Sequence, residues 1–134
     1  MQEFADFLSS PIIADYRILL EEVVTSQETE DTFPYRSMVG SLIYAMNGTR
    51  FDIAVAVSVV SRFLENPKKI HCDMVRRIFY YLRGNLELCI IYPIGGALTL
   101  EGWCDASYAN DLESRSKAGF CFKLGLCIIS WHAK

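Results

Sequence analysis

Residues 98–133 read LTLEGWCDASYANDLESRSKAGFCFKLGLCIISWHA, and the fold turns on this stretch. Three apolar runs are separated by one polar loop and one glycine turn. Side chains alternate along a strand, so Leu98, Leu100, Gly102 and Cys104 share one face of the first run. Thr99, Glu101, Trp103 and Asp105 share the other. The second run sets Ala118, Phe120, Phe122 and Leu124 against Gly119, Cys121 and Lys123. Gly125-Leu126 then turns into Cys127-Ile128-Ile129-Ser130-Trp131. The pattern predicts a three-stranded antiparallel meander with an acid, Asp105, at the end of its first strand. By itself such an acid is either a solvated strand-end residue or a carboxylate placed for chemistry.

Upstream the period changes from two to between three and four. Met38, Val39, Leu42, Ile43 and Met46 recur at helical spacing after Pro34, with Asp31 or Thr32 as cap and Asn47-Gly48 as the stop. The next segment is two-sided. Ile53, Val55, Val57 and Val59 alternate as in a strand, yet Ser58, Ser61, Arg62 and Glu65 form a helical stripe. Length and stripe favour a buried helix that ends before Asn66-Pro67. A third helix carries a seam of Ile70, Met74, Ile78 and Leu82, widened by Val75 and Phe79. Lys69, Asp73, Arg76, Tyr80 and Arg83 lie opposite, and Gly84 closes the run. Residues 86–93, followed by Ile94-Gly95-Gly96, read as a further strand and tight turn. The fold class is therefore α+β: three helices, then a partial sheet.

The chain has 134 residues, 51% apolar and 22% charged, which suits one modest core or two half-domains. No apolar run approaches the ~20 residues that span a bilayer, and residues 1–10 do not read as a signal peptide. The five cysteines form no C-x-x-C pair and sit in apolar runs, as small hydrophobes do in a reducing compartment. These features place the chain inside the cell, cytoplasmic or nuclear, and away from membranes. The net charge of −3 is unevenly spread. Residues 1–34 sum to −7, residues 35–94 to +4 and residues 95–134 to zero. Three parts follow: an acidic leader over 1–32, a helical segment over 33–85 and a sheet segment over 86–134. The basic middle is where a polyanion would bind. His71 and His132 lack ligand partners at metal-binding spacing, and no phosphate-cradling glycine loop is present.

Two blocks resemble copia-type LTR retrotransposon Pol polyproteins. Gly102, Asp105, Ala106, Ala109, Asp111, Gly119, Ile129, Ser130, Trp131 and Lys134 fit the start of their ribonuclease H domain. Ser107, Tyr108 and Asn110 depart from that pattern. Pro34-Tyr35-Arg36, Val39-Gly40-Ser41-Leu42, Thr49-Arg50, Asp52-Ile53, Asn66-Pro67, His71 and Tyr81-Leu82-Arg83-Gly84 resemble the segment after the polymerase palm, the thumb and connection. Cys72 stands where a tryptophan is usual. Order and spacing persist over residues 33–134.

The resemblance implies RNA-directed DNA synthesis and hydrolysis of RNA in hybrids, with Mg²⁺ as cofactor and RNA, DNA or an RNA–DNA hybrid as partner. It makes Asp105 the first catalytic, metal-binding carboxylate of an incomplete site. There is no Asp-Asp dipeptide of the polymerase kind, and after Asp105 only Asp111 and Glu113 follow. A single carboxylate cannot clamp two cations. The expectation is a fragment inactive alone. The alternative is a non-catalytic nucleic-acid-binding remnant that uses the basic helix over 68–83, through Lys69, Arg76, Tyr80 and Arg83.

Overall fold

The computed structural model describes residues 33–107 and 117–133. The chain divides into two compact units, with the division between Leu88 and Cys89. The acidic leader, its proposed caps Asp31 and Thr32, and the loop carrying Asp111 and Glu113 lie outside the described residues.

In the first unit, helix α1 spans Tyr35–Gly48. Pro34 stands at its N-cap and no side chain caps the helix there. The next segment is helical, as its length and polar stripe favoured over the valine alternation. A 3-10 turn over Phe51–Ile53 leads into α2, Ala54–Val60, and a second 3-10 turn follows over Ser61–Phe63. Ile53, Ala54, Ala56, Val57, Val59 and Val60 are buried, while Val55 faces outward at 56% exposure. A helix this apolar is stable only when other helices cover most of its surface. That cover comes from α1, through Tyr35, Val39 and Leu42, and from α3, spanning Lys69–Gly84.

The buried face of α3 is His71, Cys72, Met74, Val75, Ile78 and Tyr81. Ile70, Phe79 and Leu82 are only half-buried, so the seam is rotated toward His71 and Cys72 relative to the apolar pattern. No helix among the described residues is long and apolar enough to cross a membrane.

The second unit is an antiparallel meander in the order β1-β2-β3, with β1 at Leu100–Ser107, β2 at Lys117–Leu124 and β3 at Cys127–Ala133. Cross-strand pairs are Leu100 with Leu124, Gly102 with Phe122, Trp103 with Cys121 and Asp105 with Gly119. Partners share a face, so the two faces of β1 and β2 fall as the alternation predicts. Gly125 adopts φ +60 in the β2–β3 turn, a conformation that suits glycine, and its N–H donates to the Thr99 carbonyl at 2.8 Å. The register shifts at Phe122/Lys123, which leaves Ile129 without a ladder partner. Gly102 also has a packing reason: a Cβ there would meet the Phe122 ring at 2.7 Å. Residues 86–93 form no strand, contrary to the sequence reading. Leu86, Leu88, Ile91 and Tyr92 are exposed, and no ladder among the described residues includes them. The segment is tied instead by Cys127 Sγ donating to the Ile91 carbonyl and by the Tyr92 hydroxyl donating to that of Ile128.

The cysteines also depart from expectation. All five are free; Cys72 and Cys127 are buried, but Cys89 and Cys104 are exposed. Among the described residues of its own unit, no second layer covers the apolar run around Cys104.

Candidate nucleic-acid interface and the Asp105 strand end

The residues singled out as functional fall in both units. Lys69, Arg76, Tyr80 and Arg83 lie on α3, and Asp105 lies near the end of β1. On α3 the spacings of seven, four and three place the first four on one side of the helix. Lys69, Tyr80 and Arg83 are exposed, and Arg76 is half-buried. Asp73 stands within the same stripe. Its Oδ1 accepts from Arg76 Nη1 at 2.7 Å. The Arg76 guanidinium also lies 4.7 Å from the centre of the Phe33 ring, a cation–π contact. The stripe is thus three basic groups and an exposed tyrosine, interrupted by one acid.

Asp105 is exposed and shares its row of the sheet with Gly119 and Ala133. The neighbouring row on that face is Trp103, Cys121 and Trp131. None of Gly119, Ala133 or the tryptophans ligates a hard cation, so the described surroundings of Asp105 do not fit a pair of Mg²⁺ ions. Among the described residues, no group of three or more histidine, cysteine or acidic side chains is placed to hold a metal ion.

Sequence reasoning did not foresee a polar cluster that joins the α1–α2 loop to the end of α3. Arg50 Nε and Nη2 donate to the Asp52 carboxylate at 2.9 and 2.7 Å, and Nη1 donates to the Asn85 carbonyl at 3.1 Å. The Arg50 guanidinium sits 5.8 Å from the centre of the Tyr81 ring, and Tyr81 also hydrogen-bonds Asp52. Burial alone would raise the Asp52 carboxyl, but the bonds from Arg50 and Tyr81 and the charge of Arg50 hold it below its usual value. The Arg-x-Asp spacing at 50–52 was the available signal, since that bidentate pairing is local. Tyr81 and Asn85 join it only through the tertiary fold.

His71 is a second such pin. Its Nδ1 accepts from the Lys68 backbone N–H at 2.9 Å, and its ring stacks on Phe63 with centroids 3.8 Å apart. It occupies the third helical position, where Glu or Gln reaches back in a capping box. Burial, and then the nearby Lys68 charge, lower its pKa to about 4. The Tyr35 hydroxyl donates to the buried Val60 carbonyl at 2.7 Å, and Arg36 Nε donates to that of Leu64 at 3.0 Å.

Over 131 residues the chain is 41% identical to the retrovirus-related Pol polyprotein of transposon TNT 1-94 from Nicotiana tabacum, covering 95% of this chain and 10% of that protein. It is 38% identical over 112 residues to the putative transposon Ty5-1 protein YCL074W of Saccharomyces cerevisiae, covering 82% of this chain and 36% of that one. The chain belongs to the copia-type retrotransposon Pol polyproteins. A further relative, the secreted RxLR effector protein 161 of Plasmopara viticola, is 38% identical over 102 residues, which are 75% of this chain and 72% of the relative. No family model and no solved structure matches. The Pol segment thus spans about a tenth of the tobacco polyprotein and about a third of the Ty5-1 protein. Tyr35, Arg36, Arg50, Asp52, His71 and Tyr81, all within the resemblance, serve here as ties between helices and loops.

Proposed function

We propose that this Pol segment is the stretch in which the thumb and connection helices of reverse transcriptase run into the first strands of ribonuclease H. The observation that carries the reading is Asp105, an exposed acid at the end of the first strand of an antiparallel β1-β2-β3 meander that follows a helical unit. The order of the two motif blocks along the chain supports it. In this reading the segment contributes position and contact, not chemistry. Among the described residues no group of ligating side chains gathers at Asp105, and two-cation hydrolysis requires more carboxylates than one strand end supplies.

Nucleic-acid contact falls to α3. Its exposed Lys69 and Arg83 can meet backbone phosphates, with Tyr80, at 47% exposure, able to stack on a base or sugar. The test uses the full chain and a short fluorescein-labelled RNA–DNA hybrid. Binding should weaken steeply with salt and be indifferent to sequence. The double variant Lys69→Glu/Arg83→Glu should weaken it at least tenfold at low salt, an order-of-magnitude expectation for two reversed phosphate contacts. No cleavage should occur in Mg²⁺ or Mn²⁺. Cleavage that disappears in Asp105→Asn would overturn the non-catalytic reading, and salt-independent binding would remove the role of α3.

A further inference from the structure

We propose that the acidic run Glu28, Glu30 and Asp31 docks on the basic side of α3, at Lys69 and Arg83, and shields those two cations from polyanions. The shielding rests on the nucleic-acid reading of α3 given above; the docking does not. Positions 69, 76 and 83 repeat every seven residues, so they share one side of the helix. Lys69 and Arg83 are exposed, and neither forms an ion pair among the described residues. Arg76, midway between them, is already engaged with Asp73, with the Phe33 ring and in a further contact. The Phe33 ring centre lies 4.7 Å from that guanidinium, so the chain enters this unit beside the middle of the basic side.

Phe33 is the first described residue, and the sequence before it is strongly acidic. Residues 1–32 hold eight acids and one base, Arg17, and residues 18–32 hold five acids and no base. Elsewhere the chain offers nothing of this sign: residues 35–94 sum to +4 and residues 95–134 to zero. Asp31, Glu30 and Glu28 precede Phe33 by two, three and five positions, which allows at most about 7, 11 and 18 Å of chain. Along α3, Lys69 and Arg83 each lie about 10 Å from Arg76. Glu30 and Glu28 can therefore reach either cation. Exposed ion pairs are individually weak. Here the tether keeps the acids at a high effective concentration beside the two cations, so docking costs no loss of translational freedom.

The experiment labels the full chain with an acetylating reagent for Lys69 and with phenylglyoxal for Arg83, and reads both rates by mass spectrometry without nucleic acid. It compares wild type with the near variant Glu28→Gln/Glu30→Gln/Asp31→Asn. A distal variant, Glu3→Gln/Asp6→Asn/Asp15→Asn, makes the same change in net charge. In the near variant both residues should react about two- to fivefold faster at low salt, and added salt should bring wild type toward the same rates. Lys123, in the sheet unit, should not change. The near variant should also bind the RNA–DNA hybrid about three- to tenfold more tightly at low salt, and the distal variant should gain less than about twofold. The far-ultraviolet spectrum checks that each variant keeps its helices. Unchanged labelling in the near variant overturns the docking, whatever the hybrid affinity does. Equal effects of the near and distal variants also overturn it, because net charge alone then acts. Protection of Lys69 that grows with protein concentration assigns the face to a second copy and overturns the intramolecular contact. Faster labelling without tighter hybrid binding overturns the shielding if Lys69→Glu/Arg83→Glu still weakens binding; if that variant is also without effect, the docking stands and the α3 reading is removed.

Discussion

The two units spend similar apolar material in different ways. In the helical unit each apolar stripe meets another, and Val39, Leu42, Ile53, Val57, Val60, Val75 and Ile78 are all essentially sealed from solvent. In the sheet unit Cys127 is the one buried apolar side chain among the described residues, while Leu100, Trp103, Phe120, Phe122 and Ile129 are exposed. The cause is geometric. Three helices can enclose a core among themselves, whereas a three-stranded sheet has two faces and two edges and can cover none of them alone. Apolar residues on both faces, Leu100 and Phe122 on one and Trp103 and Trp131 on the other, mark a sheet suited to layers on both sides.

The largest expected contrast comes from truncating one residue in each unit. Leu42 is 1% exposed and Phe122 is 40% exposed. Leu42→Ala should cost about 2–5 kcal/mol, from lost burial and the cavity left behind. Phe122→Ala should cost less, about 1–2 kcal/mol, since much of its surface already meets water. Residue-resolved hydrogen exchange on the full chain reads both. Equal costs would break the contrast and mean that the sheet residues are covered in solution.

Next in size is a pH effect confined to the helical unit. His71 titrates near 4 in the fold, against an ordinary value near 6.5, because burial opposes its charge and Lys68 adds to that. The neutral ring is the form that accepts the Lys68 N–H and stacks on Phe63. Since the folded value is depressed, the stabilisation is complete above about pH 6.5 and is lost as the pH falls from there through about 4. The loss should be about 3 kcal/mol over that window. His71→Gln keeps an acceptor at the third helical position without the titration, so its stability should vary less between pH 7 and pH 4. Identical pH profiles for the two proteins would show that His71 carries no such linkage. The protection of β1–β3 should follow the same course in both.

What the sequence made legible follows from range. The faces of β1 and β2 and the stop at Gly84 are local, and alternation or a glycine signals each. The strand suggested over 86–93 failed because pairing is not local: Leu86, Leu88 and Ile91 make an apolar run, but among the described residues no backbone ladder includes them. The buried face of α3 was misjudged by a small rotation. A histidine that is 1% exposed there depends on a backbone donor and on Phe63, which hydrophobicity does not register. The Arg50–Asp52–Tyr81 cluster likewise needs the end of α3 brought to the α1–α2 loop. At the candidate site, the basic stripe of α3 was visible as periodicity, whereas the ties of Arg76 to Asp73 and Phe33 emerge only in three dimensions.

The smallest contrast sets one polar tie of each unit against the other. The Tyr35 hydroxyl donates to the Val60 carbonyl at 2.7 Å in a site that is 3% exposed, joining the start of α1 to the end of α2. Burial, with a further push from Cys72, raises its pKa well above the usual phenol value, so it remains a neutral donor at any ordinary pH. Tyr35→Phe keeps the ring packing and removes the donor from a buried carbonyl, a change that costs about 1–2 kcal/mol. In the sheet, Lys123 Nζ and Glu101 Oε2 are 3.8 Å apart with side chains 31% and 47% exposed. Water and salt can replace that pair, so Lys123→Met should change stability by less than about 0.5 kcal/mol. Urea titrations of the two variants, read by hydrogen exchange in each unit, should shift the midpoint of the helical unit for Tyr35→Phe and leave that of the sheet for Lys123→Met. A Tyr35→Phe variant with an unmoved midpoint would mean that the Val60 carbonyl finds another donor, and hence that the helical unit is less closely sealed than its burial indicates.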